Sequence, residues 1–221
     1  MTGPDVGDRP GVAAFDVDGT LTRRDCVVPF LRMVGGTARL TAQLLAAPHR
    51  VAPMLARRDR DGLKEFAANA AFRGHDAVEV GALAQRFATD VAATWLRDDM
   101  VARLTQHRER GDVVVLVSAS FELYLRPLAD LLGGATVLGT RLAVDIDGRF
   151  TGELLGANCR GPEKVRRLHA WLDEHHGGRR AVHLSAYGDS PGDRELLLDA
   201  DVAHWAGREG APRWLVPERS S

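Results

Sequence analysis

The chain has 221 residues, 29 basic against 30 acidic, a net charge of -1 and 45% hydrophobic residues, enough to bury one sizeable core with a small second domain. Near-neutral charge leaves no polyanion-binding signature, so a nucleic-acid partner is not expected. Two cysteines, Cys26 and Cys159, make no disulfide framework, and Met1 to Pro10 holds no apolar leader core, so the expected compartment is the cytoplasm.

Val12-Ala13-Ala14-Phe15 is a short apolar run of the kind buried in a parallel sheet, followed by Asp16, Asp18 and Gly19. Residues i and i+2 of a strand share a face, so both carboxylates are expected to leave the strand's carboxyl end together, into the crevice where open α/β sheets bind ligands. Such a pair suits a nucleophile beside a proton donor, or a hard divalent cation. A calcium loop does not fit. With Gly19, Gly62 or Gly148 as the loop glycine, position one falls on Ala14, Arg57 or Ala143, and position twelve on Asp25, Ala68 or Leu154. Asp59-Arg60-Asp61-Gly62 and Asp145-Ile146-Asp147-Gly148 read instead as turns.

No strand is predicted from residue 26 to 106. Leu63, Phe66, Ala67, Ala70 and Ala71 share one helical face, and Val80, Leu83, Ala84, Phe87, Val91 and Trp95 another. Breaks are expected at Gly35-Gly36, at Pro48 and at Arg73-Gly74-His75-Asp76. The apolar stretch Leu40 to Ala56 is interrupted by Pro48, His49, Arg50 and Pro53 and falls short of the ~20 residues of a spanning helix. It reads as a helix pair packed on its own domain, with no stable membrane insertion.

Beyond the insert, helices and strands alternate. A helix from about Asp99 to Arg110 leads to the strand Val113 to Val117, which ends at Ser118; a helix from Phe121 to Leu132 leads to a strand near Val137. Asp147-Gly148 joins two alternating runs, Leu142 to Ile146 and Arg149 to Leu154, as a β-hairpin. Pro162 to His175 reads as a helix and Ala181 to Tyr187 as a strand. Ser190-Pro191 reads as the cap and first residue of a helix to about Asp199, and Val202 to Trp205 as an edge strand. The fold class is α/β, a doubly wound and mostly parallel Rossmann-like sheet with a helical insert and a small hairpin. Zinc is not expected, because neither cysteine lies in a CxxC and His169, His175 and His176 have no matching thiol pair.

Asp16-Val17-Asp18-Gly19-Thr20-Leu21-Thr22 resembles the first motif of the haloacid dehalogenase superfamily. The other three follow in order: Ser118 after its apolar run, Lys164 in Gly161-Pro162-Glu163-Lys164, and Gly188-Asp189-Ser190-Pro191-Gly192-Asp193. The resemblance implies a Mg²⁺-dependent phosphomonoesterase with Asp16 as nucleophile, forming an aspartyl-phosphate, and Asp18 as general acid and base. It assigns Ser118 and Lys164 to phosphate binding. Asp16, the Asp18 carbonyl and Asp189 are assigned to the metal, with Asp193 supporting or ligating it. It also implies that residues 25–106 form a cap over a core made of residues 1–24 and 107–221.

Asp18 favours ester hydrolysis over attack on carbon. A phosphomutase would keep both aspartates, whereas a non-catalytic phosphate binder has no reason to keep all four motifs. The chain is most similar to the phosphoserine phosphatase-like branch, but it carries Gly19, Ala119-Ser120 and Asp25 where true phosphoserine phosphatases have Ser, Gly-Gly and Glu. Asp25 is the candidate for holding a substrate amine or hydroxyl. The expected substrate is a small phosphorylated alcohol, phosphoserine-like or histidinol-phosphate-like. A lipid phosphate such as phosphatidylglycerophosphate or lysophosphatidate is the second reading the resemblance implies, since some capped relatives with a Gly-Asp-Ser-x-x-Asp motif act on these, and the stretch Leu40 to Ala56 is apolar.

Overall fold

The computed structural model describes residues 9–215, so most of the Met1 to Pro10 stretch lies outside the described residues. In chain order the elements are β1 (Gly11–Phe15), α1 (Val27–Gly35), α2 (Thr37–Ala46), α3 (Pro48–Ala56), α4 (Arg60–Phe72), α5 (Ala77–Thr94) and α6 (Asp98–Glu109). After these come β2 (Val113–Phe121), α7 (Glu122–Leu131), β3 (Thr136–Thr140), β4 (Leu142–Val144), β5 (Phe150–Leu154) and α8 (Pro162–His176). The chain then forms β6 (His183–Gly188), α9 (Arg194–Asp199) and β7 (Val202–Trp205).

Five strands form one sheet in the order β3-β2-β1-β6-β7, every pairing parallel, and β4-β5 is a separate antiparallel hairpin. Alternation along β1 sends Ala13 and Phe15 to one face and Val12 and Ala14 to the other. Helices α8 and α9 cover the second face through Leu168, Leu172, Leu196 and Leu197. The chain leaves β1 towards β2 and β3 on one side and returns through β6 and β7 on the other. The ends of β1 and β6 therefore flank the switch point where such sheets open a crevice.

The helical insert shares its apolar core with the sheet. Phe30 of α1, Phe72 of α4 and Phe87 of α5 meet Tyr124 of α7 and Phe121 of β2, with ring centroids 4.8 to 5.9 Å apart. The hairpin braces the insert from below: Phe72 packs on Phe150 at 5.6 Å, and the Gly74 and Phe150 amides donate to the Phe150 and His75 carbonyls at 2.8 and 2.9 Å. Helix α6, continuous through residue 106, packs on β1 and β2. We therefore propose an insert end near residue 97 in place of 106. Helices α2 and α3 contain no buried residue and leave Leu44, Leu45 and Leu55 exposed. Among the described residues no helix is long and apolar enough to cross a membrane.

Three local expectations are corrected. The strand ends at Phe15, so Asp18 sits in a wide turn, Val17–Leu21, closed by the Thr22 amide donating to the Val17 carbonyl at 2.9 Å. β2 runs on to Phe121 but loses register with β3 between Val117 and Phe121, so Ser118 lies at an irregularity within the strand. Asp59 to Gly62 is the start of α4, with the Asp59 carboxylate accepting from the Gly62 amide at 2.9 Å.

Both cysteines are fully buried. Burial pushes the Cys159 thiol up to about 11, and burial together with the Asp18 charge pushes Cys26 higher still. The thiol form therefore persists well above neutral pH, and neither should react with an aromatic disulfide reagent at pH 8 until the protein unfolds. Rapid labelling of either cysteine in the native protein would contradict this packing.

Candidate active site

The site is assembled from three loops at the carboxyl end of the sheet. Asp16 follows β1, and its amide donates to the Tyr187 carbonyl of β6 at 2.9 Å. Gly19 lets the chain fold back beside Asp189: it has a φ of +85°, and a Cβ there would lie 2.2 Å from an Asp189 oxygen. After β6, Ser190 and Asp193 form a capping box in which the Ser190 amide and hydroxyl donate to Asp193 Oδ2 at 3.0 and 2.9 Å.

Lys164 ties these loops together. It is 2% exposed, and its ammonium donates to Asp16 Oδ1 and Asp193 Oδ1, each at 2.5 Å. Burial alone would lower its pKa, but the two carboxylates overcome that and hold it firmly protonated. Burial and the neighbouring Asp193 push the Asp16 carboxyl above the usual carboxylate range against the pull of Lys164. Asp189, half-buried, is raised by burial and Asp193 as well. One oxygen from each of Asp16, Asp189 and Asp193 lies within 4.8 Å of the others. Such a set of hard oxygen donors with excess negative charge fits a small divalent cation such as Mg²⁺. Both Asp193 oxygens already accept hydrogen bonds from Lys164 and the Ser190 turn, which suits a supporting role behind the other two.

Asp18 is gripped at both oxygens. The Cys26 amide donates to Oδ1 at 2.8 Å and the Ser120 hydroxyl to Oδ2 at 2.5 Å; the Tyr124 hydroxyl in turn donates to Ser120 at 2.6 Å. Burial and the nearby Asp25 raise the Asp18 pKa, and the Ser120 and Cys26 donors oppose that rise. Ser118 is buried with its hydroxyl accepting from the Ser120 amide at 3.2 Å. Asp25 is exposed, and one of its oxygens accepts from the Val28 amide at 3.0 Å at the start of α1. Its neighbours are engaged elsewhere: Arg23 pairs with Asp98, and Arg24 lies over the Trp95 ring.

Ser120 and Lys64 are residues the sequence reading did not single out. The Lys64 ammonium, from the insert helix α4, donates to the Ala119 carbonyl, to Thr140 Oγ1 at 3.1 Å and to Asn158 Oδ1 at 2.8 Å, while Asn158 donates back to Asp61 at 2.6 Å. Burial lowers its pKa to about 8. Helix periodicity held the signal, since Lys64 is a charge on the same face as Ala67 and Ala71.

Asp16, Asp18, Asp25, Ser118 and Lys164 line one cavity of about 550 Å³, with Asp193 at its edge and Lys64, Asn158 and Arg160 on its wall. Asp189 faces a larger concavity of about 850 Å³ on the other side of Gly19, which does not reach Asp16. The cavity containing both catalytic candidates is the one a substrate must enter. Removing the Ser120 hydroxyl deletes a donor that favours the charged form of Asp18, so its pKa should rise further. Ser120→Ala should lower kcat about tenfold, the scale of one charge-assisted hydrogen bond. It should also move the alkaline limb of kcat/KM to higher pH. An unmoved limb would detach Ser120 from Asp18 titration.

Known proteins resemble this chain over most of its length. Over 212 residues, 96% of this chain and 92% of the relative, the sequence is 36% identical to the protein CicA of Caulobacter vibrioides strain NA1000 / CB15N. Over 97 residues, 41% of each chain, it is 33% identical to a histidinol-phosphatase of Neisseria meningitidis serogroup C. The fold is similar to that of a phosphoserine phosphatase in its apo form, with a TM-score of 0.59 at 17% identity over 87% of this chain and 84% of that one. A family model of haloacid dehalogenase-like hydrolases matches residues 13–198, a span that takes in Asp16, Asp18, Ser118, Lys164, Asp189 and Asp193, and the chain belongs to that family.

Proposed function

We propose that this hydrolase is a phosphatase that cleaves phosphate monoesters in two steps through a phosphorylated Asp16 and requires Mg²⁺. The reading is carried by one observation: Asp16 and Asp18 line the same cavity with Ser118 and Lys164, and Asp18 alone is held by neutral donors at both oxygens. In the first step an Asp16 oxygen bonds to phosphorus as the bond from phosphorus to the ester oxygen breaks, and Asp18 gives its proton to the leaving alkoxide. Water then attacks phosphorus, Asp18 takes the water's proton, and Asp16 is released with inorganic phosphate. Ser118 and Lys164 hold the phosphoryl oxygens while charge builds on them. Asp16, the Asp18 carbonyl and Asp189 would hold Mg²⁺, which when bound supplies positive charge between an anionic nucleophile and an anionic ester.

The upward shift of the Asp18 pKa, caused by burial and Asp25, serves the first step, since it favours the protonated form that acts as the acid. Its fixed donors serve the second, when the carboxylate must act as the base. As for the alcohol, the small amine-bearing reading rests on Asp25, an exposed carboxylate that already accepts from Val28. The apolar residues on the insert side of the cavity favour a hydrophobic alcohol.

Asp16→Asn should abolish turnover of any phosphate monoester while leaving the melting curve in place, because an amide cannot accept the phosphoryl group. Ordinary turnover in that variant would remove Asp16 from its role. The Mg²⁺ affinity should strengthen as pH rises from 6 to 8, by up to about tenfold per unit, because a cation competes with the proton on a carboxyl whose pKa is raised. Calorimetry across that range checks this, and a pH-independent dissociation constant would place the ion elsewhere.

A further inference from the structure

Arg97, near which the insert returns to the core, grips three separate parts of the chain with one guanidinium. Its Nη1 donates to the Gly19 carbonyl at 3.1 Å and to the Ala206 carbonyl at 2.7 Å. Nε and Nη2 form a fork on the Asp99 carboxylate at 3.3 and 2.9 Å, which fixes the plane of the group. Each carbonyl belongs to a segment tied to a metal candidate. Gly19 follows Asp18 in the turn after β1, and the next residue, Thr20, donates from its hydroxyl to Asp189 Oδ1 at 3.2 Å. Ala206 follows β7, and its amide donates to the carbonyl of Gly188, the residue before Asp189, at 2.8 Å. Arg97 therefore ties the Asp18–Gly19 turn to the strand end that bears Asp189, on the side of the concavity that Gly19, Arg97 and Asp189 all line. The turn itself has other supports. The Arg97 amide donates to the Leu21 carbonyl at 2.9 Å, and the Arg23 amide to the Trp95 carbonyl at 2.8 Å, so backbone bonds form the turn and the side chain sets its place beside β6.

We propose that Arg97 is a positioning residue: it sets the spacing between the Asp18 carbonyl and the Asp189 carboxylate, and so fits the site to Mg²⁺ over a larger cation. The proposal rests on the Mg²⁺-dependent phosphomonoesterase reading of the site. Mg²⁺ demands near-octahedral oxygen ligands at ~2.0 to 2.1 Å, whereas Ca²⁺ accepts looser sets at ~2.3 to 2.6 Å. A site drawn from two separate loops meets the first demand only when the loops are held together. Charge alone acts in the opposite sense. A guanidinium near a cation site repels the cation, so on electrostatics its removal would tighten the binding of any divalent ion. A clamp predicts that its removal weakens binding.

The test is calorimetric titration of Mg²⁺ and of Ca²⁺ into wild type, Arg97→Met and Arg97→Lys. Methionine replaces the aliphatic stem and donates nothing, whereas lysine keeps the charge without the fork. Arg97→Met should bind Mg²⁺ about tenfold more weakly, the lower end of what losing a partner behind the metal ligands costs. Its preference for Mg²⁺ over Ca²⁺ should fall about fivefold, because the larger ion tolerates a looser site. Arg97→Lys should weaken Mg²⁺ about threefold, and it carries the test if Arg97→Met does not fold. Turnover of p-nitrophenyl phosphate gives a second readout. The Mg²⁺ concentration for half-maximal rate should rise by the same factor as the dissociation constant, while KM for the ester at saturating Mg²⁺ stays within about twofold of wild type. Unchanged or tighter Mg²⁺ binding in both variants, with melting curves that show folded protein, would overturn the clamp. Equal weakening of Mg²⁺ and Ca²⁺ would overturn its part in fitting the site to the smaller ion. A wild type that binds no Mg²⁺ would overturn the metal reading itself, a result distinct from wild type and variants binding alike. Weaker Mg²⁺ binding in the variants, with no turnover of any ester by wild type, would overturn the phosphomonoesterase reading and keep the clamp.

Discussion

The contact on which the site depends is the buried ammonium of Lys164 between Asp16 and Asp193. Three charges with almost no exposure would be costly to desolvate singly, and they are tolerable together because each is hydrogen-bonded to an opposite charge. The triad is still one negative charge in excess, and Asp189 stands beside it. Burial and that imbalance together raise the Asp16 pKa, and the imbalance makes the site a receiver of positive charge. Lys164 therefore both holds the nucleophile's orientation and leaves a deficit for a cation to fill, a division of labour that an apolar residue of the same volume could not provide.

The rest of the fold brings these groups to one point. Parallel pairing of β1 with both β2 and β6 puts Asp16, the Ser118 segment of β2 and Asp189 at the same carboxyl end of the sheet. Loss of register in β2 accompanies the turn of the Ser118 to Ser120 segment, in which the Ser120 hydroxyl donates to Asp18. The Lys64 ammonium then joins the insert to that same segment through the Ala119 carbonyl. The insert is not a body with its own core. Its aromatic residues interlock with Tyr124 and Phe121 on one side and Phe150 on the other, so α1, α4 and α5 are fixed to the sheet by packing as well as by hydrogen bonds.

Most of the strands, the hairpin and the four motif positions were legible because each has a local signature: an apolar run ending in acids, an Asp-Gly turn, a Ser-Pro cap. The family resemblance joined residues as far apart as Asp16 and Lys164, which no local pattern could have done. Ser120 was missed because its role depends on a break in strand pairing, a property of β3 as much as of β2. Asp59 to Gly62 was misread because Asp-x-Asp-Gly serves turns and helix starts alike. The apolar residues that follow Gly62 at helical spacing decide between the two. The geometry of Asp18 was also out of reach. Strand alternation would have placed it beside Asp16, but the chain uses a wide turn at Gly19 to bring both acids to the same cavity.

Rigidity and exposure divide the molecule along the line between chemistry and recognition. Proton transfer and phosphoryl transfer need groups held to a fraction of an ångström, and the residues proposed for them lie in buried, multiply bonded loops. Apolar contact makes no such demand, because dispersion and burial are non-directional. The helix pair α2 and α3 has no buried residue of its own and leaves Leu44, Leu45 and Leu55 exposed. Leu44 is therefore half exposed without cost to a core it does not join. The same reasoning explains why Lys64 lies where it does: it anchors α4 to the catalytic loop, so adjustment of α2 need not disturb Ser118, Asp18 or Asp16.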